Sequence, residues 1–314
     1  MSALPKRKKL RHKLKIKTNK QRPQNSNFLV ILLALIVLVE TIVILSFIAK
    51  KKPAESAKET KVETQRVVSR TSQIVPAISA VGKSSAKPRF IARKKGKIAI
   101  VIDDWGYNKK NLEVLKEINS PLTLAILPFQ DYSRKVAEFA NSHNYEVIVH
   151  MPMEPEAKES AALEPNTLMV YMSRSTIYSI LDEAFINIRY AKGINNHMGS
   201  YATRNKSFMK TVSKKLKRNN LYFLDSYVTA ESVAEGVVKE VGVKFAKRSV
   251  FLDNESDPQY IRGQLQQLAT EAQNNGKAVG VGHNRANTLF TLKEEIPKLI
   301  RAGYEFVFVS EIVE

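Results

Sequence analysis

The chain has 314 residues, 44% of them hydrophobic, which excludes disorder throughout and leaves room for one large domain or two small ones. Its formal charge of +20 points at first to nucleic acid, but ten Lys and Arg residues precede Asn27 with no acid among them. Half the excess therefore sits in a short tail, which argues against a folded polyanion-binding surface; the absence of cysteine removes disulfides, thiolate metal sites and cysteine nucleophiles.

In chain order, residues 1–27 read as a basic cytoplasmic tail. Residues 28–49, FLVILLALIVLVETIVILSFIA, form a run of 22 residues whose only charge is Glu40, long enough at about 1.5 Å per residue to cross a bilayer. The run exceeds the apolar stretch of a cleaved signal peptide, so it is predicted to be an uncleaved single-pass transmembrane anchor. The excess of basic charge before it predicts an N-terminus inside the cytoplasmic membrane and a C-terminal domain in the periplasm or another extracytoplasmic space. Glu40 is either a neutral carboxyl tolerated by a very apolar helix or a contact to another helix. Residues 50–95, rich in Lys, Ser, Ala, Glu, Val and Pro without apolar periodicity, read as a flexible linker that reaches well over ~100 Å when extended.

From residue 96 to 314 short apolar runs alternate with helix-length amphipathic stretches, an α/β pattern. Strands are predicted at Lys97–Ile102, Leu122–Leu127, Glu146–Val149, Leu221–Leu224, Val243–Ala246, Ala278–Gly282 and Phe306–Val309. Helices are predicted around Lys109–Ile118, Ser133–Ser142, Ser175–Tyr190, Ser207–Arg218, Gln259–Asn275 and Leu289–Ala302, and the stretch from Gly193 to Ser200 is predicted to be a loop after a helix stop. The alternation implies a mainly parallel sheet, either open and doubly wound or curled into a barrel.

Ligands of parallel α/β folds gather at the carboxyl ends of strands. Here the apolar runs end in Asp103-Asp104-Trp105-Gly106, in His150, in Asp225-Ser226 and in His283, and the Asn-rich stretch carries Asn196, His197 and Ser200. A carboxylate with two imidazoles is a common ligand set for Zn²⁺ and other divalent ions, and paired acids can divide metal binding from proton transfer. Asp-Asp-x-Gly also makes ordinary turns, and a single histidine more often has a structural role; His143 is left with that reading. Trp105 either stacks on a sugar or fills the core, and Ser200 either binds substrate or caps the next helix.

The elements IDDWG (102–106), HMPMEP (150–155), NNHMGS (195–200), FLDS (223–226), FLD (251–253) and GH (282–283) resemble those of the divergent polysaccharide deacetylases, over about 215 residues. The resemblance implies a distorted (β/α) barrel and a hydrolase that removes acetyl groups from N-acetylated sugars with a divalent metal, zinc first among them. By position, it implies Asp103 as base, Asp104, His150 and His197 as metal ligands, and His283 as the acid that protonates the leaving nitrogen. Asp225 would orient His283 or a ligand, with Asp253 a weaker candidate, while Trp105, Asn196 and Ser200 would bind substrate. The chain departs from the broader deacetylases in lacking a His-x-x-x-His pair. The expected partners are an envelope polysaccharide or glycan, the membrane through one helix, and envelope proteins, with no nucleic acid. The rival expectation is a catalytically silent barrel that binds a glycan or a partner in envelope assembly or division.

Overall fold

The computed structural model describes residues 95–157 and 163–314. The predicted tail and anchor, and all but the last residue of the predicted linker, lie outside the described residues. Among the described residues no helix is long and apolar enough to cross a membrane.

Among the described residues nine strands, all paired in parallel, form one sheet: β1 (Gly96–Trp105), β2 (Thr123–Ile126), β3 (Glu146–Met153), β4 (Ala191–Met198), β5 (Tyr222–Asp225), β6 (Phe245–Lys247), β7 (Val250–Phe251), β8 (Lys277–His283) and β9 (Tyr304–Val307). The order is β6-β5-β4-β3-β2-β1-β8-β7, with β9 against the first half of β1. Only Arg248 and Ser249 separate the two ends of that path, so the sheet curls into a half-barrel whose edges approach each other.

Among the described residues seven α-helices connect the strands: α1 (Leu112–Lys116), α2 (Ser133–Ser142), α3 (Arg174–Asn187), α4 (Lys206–Arg218), α5 (Ala234–Val241), α6 (Pro258–Asn275) and α7 (Ala286–Arg301). Their starts obey local chemistry. Ser173, Asn205 and Asp257 each accept a backbone N–H of the first turn, and Pro258 opens α6, where its missing N–H costs nothing. Gly242 and Gly276 end α5 and α6 in the left-handed conformation that glycine adopts without strain.

The period of two along each strand sorts side chains into two cores. Ile98, Ile100 and Ile102 of β1 face outward and pack against the helices, in a cluster that includes Val136, Leu216, Leu268 and Leu289. Ala99 and Val101 of β1, Ile148 of β3, Leu224 of β5, and Val279 and Val281 of β8 face inward and fill the barrel with Val309 and Ile312 from the C-terminal segment. Gly193 on β4 leaves space for the Tyr222 ring, which would lie 2.5 Å from a Cβ placed there. Near the amino-terminal opening of the barrel, buried Glu146 accepts hydrogen bonds from the Thr123 hydroxyl, the Tyr222 hydroxyl and the Ser310 amide.

The structure corrects three sequence expectations. The Gly193–Ser200 stretch is mostly strand β4 rather than loop; its polar residues face inward to a polar site, so the run lacks the apolar signature of a buried strand. Helix α5 and the two-residue strand β7 were not anticipated, both being too short for a periodic signal.

Candidate metal centre

The inward rows that fill the barrel with alanine, valine and isoleucine continue upward into the site. Asp103 is two residues beyond Val101, His150 two beyond Ile148, and His283 two beyond Val281, so each points inward above the apolar layers. Asn195 and His197 stand on the corresponding face of β4. Asp104 has the wrong parity for this face, but the pairing of β1 with β2 shifts register between Ile102 and Trp105, and Asp104 has φ 62°. This bulge turns a second carboxylate to the same side. The left-handed backbone at a non-glycine residue is strained, and the strain falls on a residue of the site.

Three atoms converge. His197 Nδ1 lies 3.1 Å from His150 Nε2, and Asp104 Oδ1 lies 3.3 Å from each of them. Tetrahedral donors bound at ~2.0 Å stand roughly 3.3 Å apart, so the triangle has the size of one face of a tetrahedral zinc site. Asp104 Oδ1 is a buried atom without a hydrogen bond of good geometry, despite the two nearby nitrogens. A buried acceptor left without a donor is costly, and a cation at this point removes the cost.

Asn195 fixes the form of His150. Its Nδ2 faces the Asp103 carboxylate at 3.0 Å, an acceptor, and also donates to Ser226 Oγ at 3.1 Å, so its Oδ1 must be the atom 2.8 Å from His150 Nδ1. Nδ1 therefore carries a proton, and Nε2 presents its lone pair to the triangle whenever the ring is neutral. Burial lowers the His150 pKa, but the charges of Asp103 and Asp104 outweigh it and push it up to about 9. A metal ion held at Nε2 would require the neutral ring, so binding there would compete with protons. Burial also opposes ionisation of Asp104, yet its two imidazole neighbours hold it well below the ordinary carboxylate range.

Asp103 stands beside the triangle, with Oδ2 3.7 Å from His150 Nε2. Its burial, reinforced by the Asp104 charge and opposed by His150, raises its pKa and makes it a better proton acceptor once ionised. His283 completes the rim, with Nε2 3.8 Å from Asp104 Oδ2.

His283 is held by Asp253, not Asp225. Asp253 Oδ1 lies 2.9 Å from His283 Nδ1, and its Oδ2 accepts the His283 amide and the Thr288 hydroxyl. Asp225 instead accepts the Tyr227 amide and the Ser232 hydroxyl at the end of β5. The other sequence candidates also take local roles. Trp105 is fully buried in the outer core and has no face for a sugar. Asn196 donates to Met198 O and accepts from Ser226 N, and Ser200 Oγ accepts from Glu156 N, so all three serve the architecture. Asn195 was missed, although it lies two residues from His197 on the same face of a strand.

The sequence model of the divergent polysaccharide deacetylases matches residues 100–313. The chain belongs to the divergent polysaccharide deacetylase family. Among family relatives, the uncharacterized protein YibQ of Escherichia coli K12 is 39% identical over 204 residues, 65% of this chain and 63% of YibQ. The match thus spans a little under two thirds of that relative. An uncharacterized protein of Haemophilus influenzae Rd is 33% identical over 205 residues, 65% of this chain and 72% of its own length. The crystal structure of uncharacterized protein ATU2773 from Agrobacterium tumefaciens C58 superposes with a TM-score of 0.67 at 22% identity, covering 70% of this chain and 90% of that one, which shows a shared fold.

Proposed function

We propose that the chain is a membrane-anchored, metal-dependent hydrolase that removes acetyl groups from N-acetylated sugars of an envelope polysaccharide. Family membership and the convergence of Asp104, His150 and His197 on one point support this reading, and the convergence carries it. Two imidazole nitrogens and one carboxylate oxygen suit zinc or a similar divalent ion with a position left open, and such an ion supplies Lewis acidity toward water and an acetyl carbonyl. Asp103, adjacent to the ligands but outside the triangle, takes a proton from the attacking water. His283 gives a proton to the departing sugar nitrogen; Asp253 occupies its Nδ1 side and leaves Nε2 facing the site. Asn195 keeps Asp103 and His150 in register through hydrogen bonds to both. The domain works outside the cytoplasmic membrane, held by the helix read at 28–49.

The test is acetate release from N-acetylglucosamine oligomers and peptidoglycan fragments by the full chain loaded with zinc, cobalt or manganese. Release that disappears in Asp103→Asn, with metal content and melting temperature unchanged, supports the proposal. A metal-loaded protein that binds such glycans but releases no acetate would replace the hydrolase with a binding barrel.

A further inference from the structure

We propose that the amino-terminal floor of the barrel is a docking surface for anionic lipid headgroups. The proposal rests on the reading of residues 28–49 as a membrane anchor and is independent of the hydrolase chemistry.

Basic residues gather where the strands begin. Lys97 is the second residue of β1, Lys192 the second of β4, Lys277 the first of β8, and Lys244 directly precedes β6. Lys192, Lys217 and Lys244 line a floor cavity of about 460 Å³ together with Asn220, Tyr222 and Ser310, and no acid is among its lining residues. All three lysines are exposed, and Lys217 Nζ also donates to Val241 O at the end of α5. Acids near this floor stand beside other lysines or in their own network: Glu314 pairs with Lys277, Glu235 with Lys239, Glu305 lies opposite Lys97 in the β1–β9 register, and Glu146 is buried among hydrogen bonds. Lysines around an acid-free cavity match the phosphates of a lipid surface better than any single compact ligand, because no buried donor or backbone cradle among them defines a pocket for one group.

Chain connection favours the lipid. The described chain begins at Lys95, whose amide bonds to Gly303 O on this same floor, so the polypeptide leading back to residues 28–49 joins the domain here. A domain tethered by a linker of 46 residues sees the bilayer at high effective concentration, and a few lysines then suffice to hold one face to it. Docking by the floor turns the carboxylates and histidines of the opposite end away from the membrane.

The chain has no cysteine, so single labels are straightforward. The full chain is reconstituted into nanodiscs of phosphatidylcholine alone or with phosphatidylglycerol, carrying acceptor-labelled lipid, and a donor is placed at Asn220→Cys on the floor or Asn254→Cys near the site. The expected result is strong energy transfer from the floor label only in anionic discs, reduced several-fold by high salt and by Lys192→Glu/Lys217→Glu/Lys244→Glu, with weak transfer from the site label throughout. The milder Lys→Gln triple variant, checked for an unchanged melting temperature, is expected to give an intermediate loss. Equal transfer in both disc types, or a floor signal indifferent to salt and to both triple variants, would overturn docking while leaving the anchor intact. A chain that does not enter the discs would overturn the anchor and tethered docking together.

Discussion

The two ends of the barrel each hold a buried carboxylate oxygen among inward-facing polar groups, yet the two oxygens are in opposite conditions. At the amino-terminal end Glu146 Oε1 accepts from the Thr123 hydroxyl, the Tyr222 hydroxyl and the Ser310 amide. At the carboxyl end Asp104 Oδ1 faces two imidazole nitrogens at 3.3 Å and accepts a good hydrogen bond from neither. The first is a completed knot that ties the C-terminal segment to the barrel; the second is a set of donors arranged for something else. A buried carboxylate oxygen marks a candidate site when its neighbours are other ligands rather than well-aligned hydrogen-bond donors.

The contrast can be broken most severely at the ligands. His150→Ala is expected to cut acetate release by on the order of 10³-fold and to abolish tight metal binding while the domain stays folded, measured by turnover and thermal melting. Glu146→Ala is expected to do the reverse: it strands the Tyr222 hydroxyl and the Ser310 amide, costing about 3 kcal/mol in denaturant unfolding, with metal stoichiometry retained. Asn195→Ala sharpens the upper half of the comparison, because it removes the group that fixes the His150 tautomer without touching a ligand position. Metal affinity should fall roughly 10- to 100-fold by competition with a chelator.

The smallest effect is a change of pH profile. Burial lowers the His283 pKa, but the Asp253 hydrogen bond and charge raise it further, so the net value lies above 6.5. The alkaline limb of activity should therefore lie above pH 6.5, and Asp253→Asn should move it toward acid. The same raised pKa contributes stability fully present below pH 6.5 and lost as pH rises through the folded value, a contribution the variant should lack.

The sequence exposed the fold's alternation and the residues that close apolar runs, because a strand buried on both faces is continuous in hydrophobicity until it reaches the site. Asp103, Asp104, His150 and His283 were legible for that reason. Strand β4 was not, since Asn195 and His197 face the polar site and interrupt the run. The ranking of the two candidate partners of His283 was not legible either: β8 neighbours β7, so Asp253, just beyond β7, reaches it, while Asp225 ends β5, which does not pair with β8. Strand order is a property of the folded sheet, and nothing in the spacing of 225, 253 and 283 reveals it. The bulge that gives Asp104 its direction is likewise a backbone event, visible in its φ of 62° and not in the letters Asp-Asp.

The most direct test of the metal centre is elemental analysis of the purified full chain after loading with zinc, cobalt or manganese and removal of excess, beside Asp104→Ala and His197→Ala variants shown to be folded. About one ion per chain is expected in the parent and none in either variant. A parent that retains no ion under any loading condition, or variants that retain it undiminished, would contradict a metal centre built from Asp104, His150 and His197.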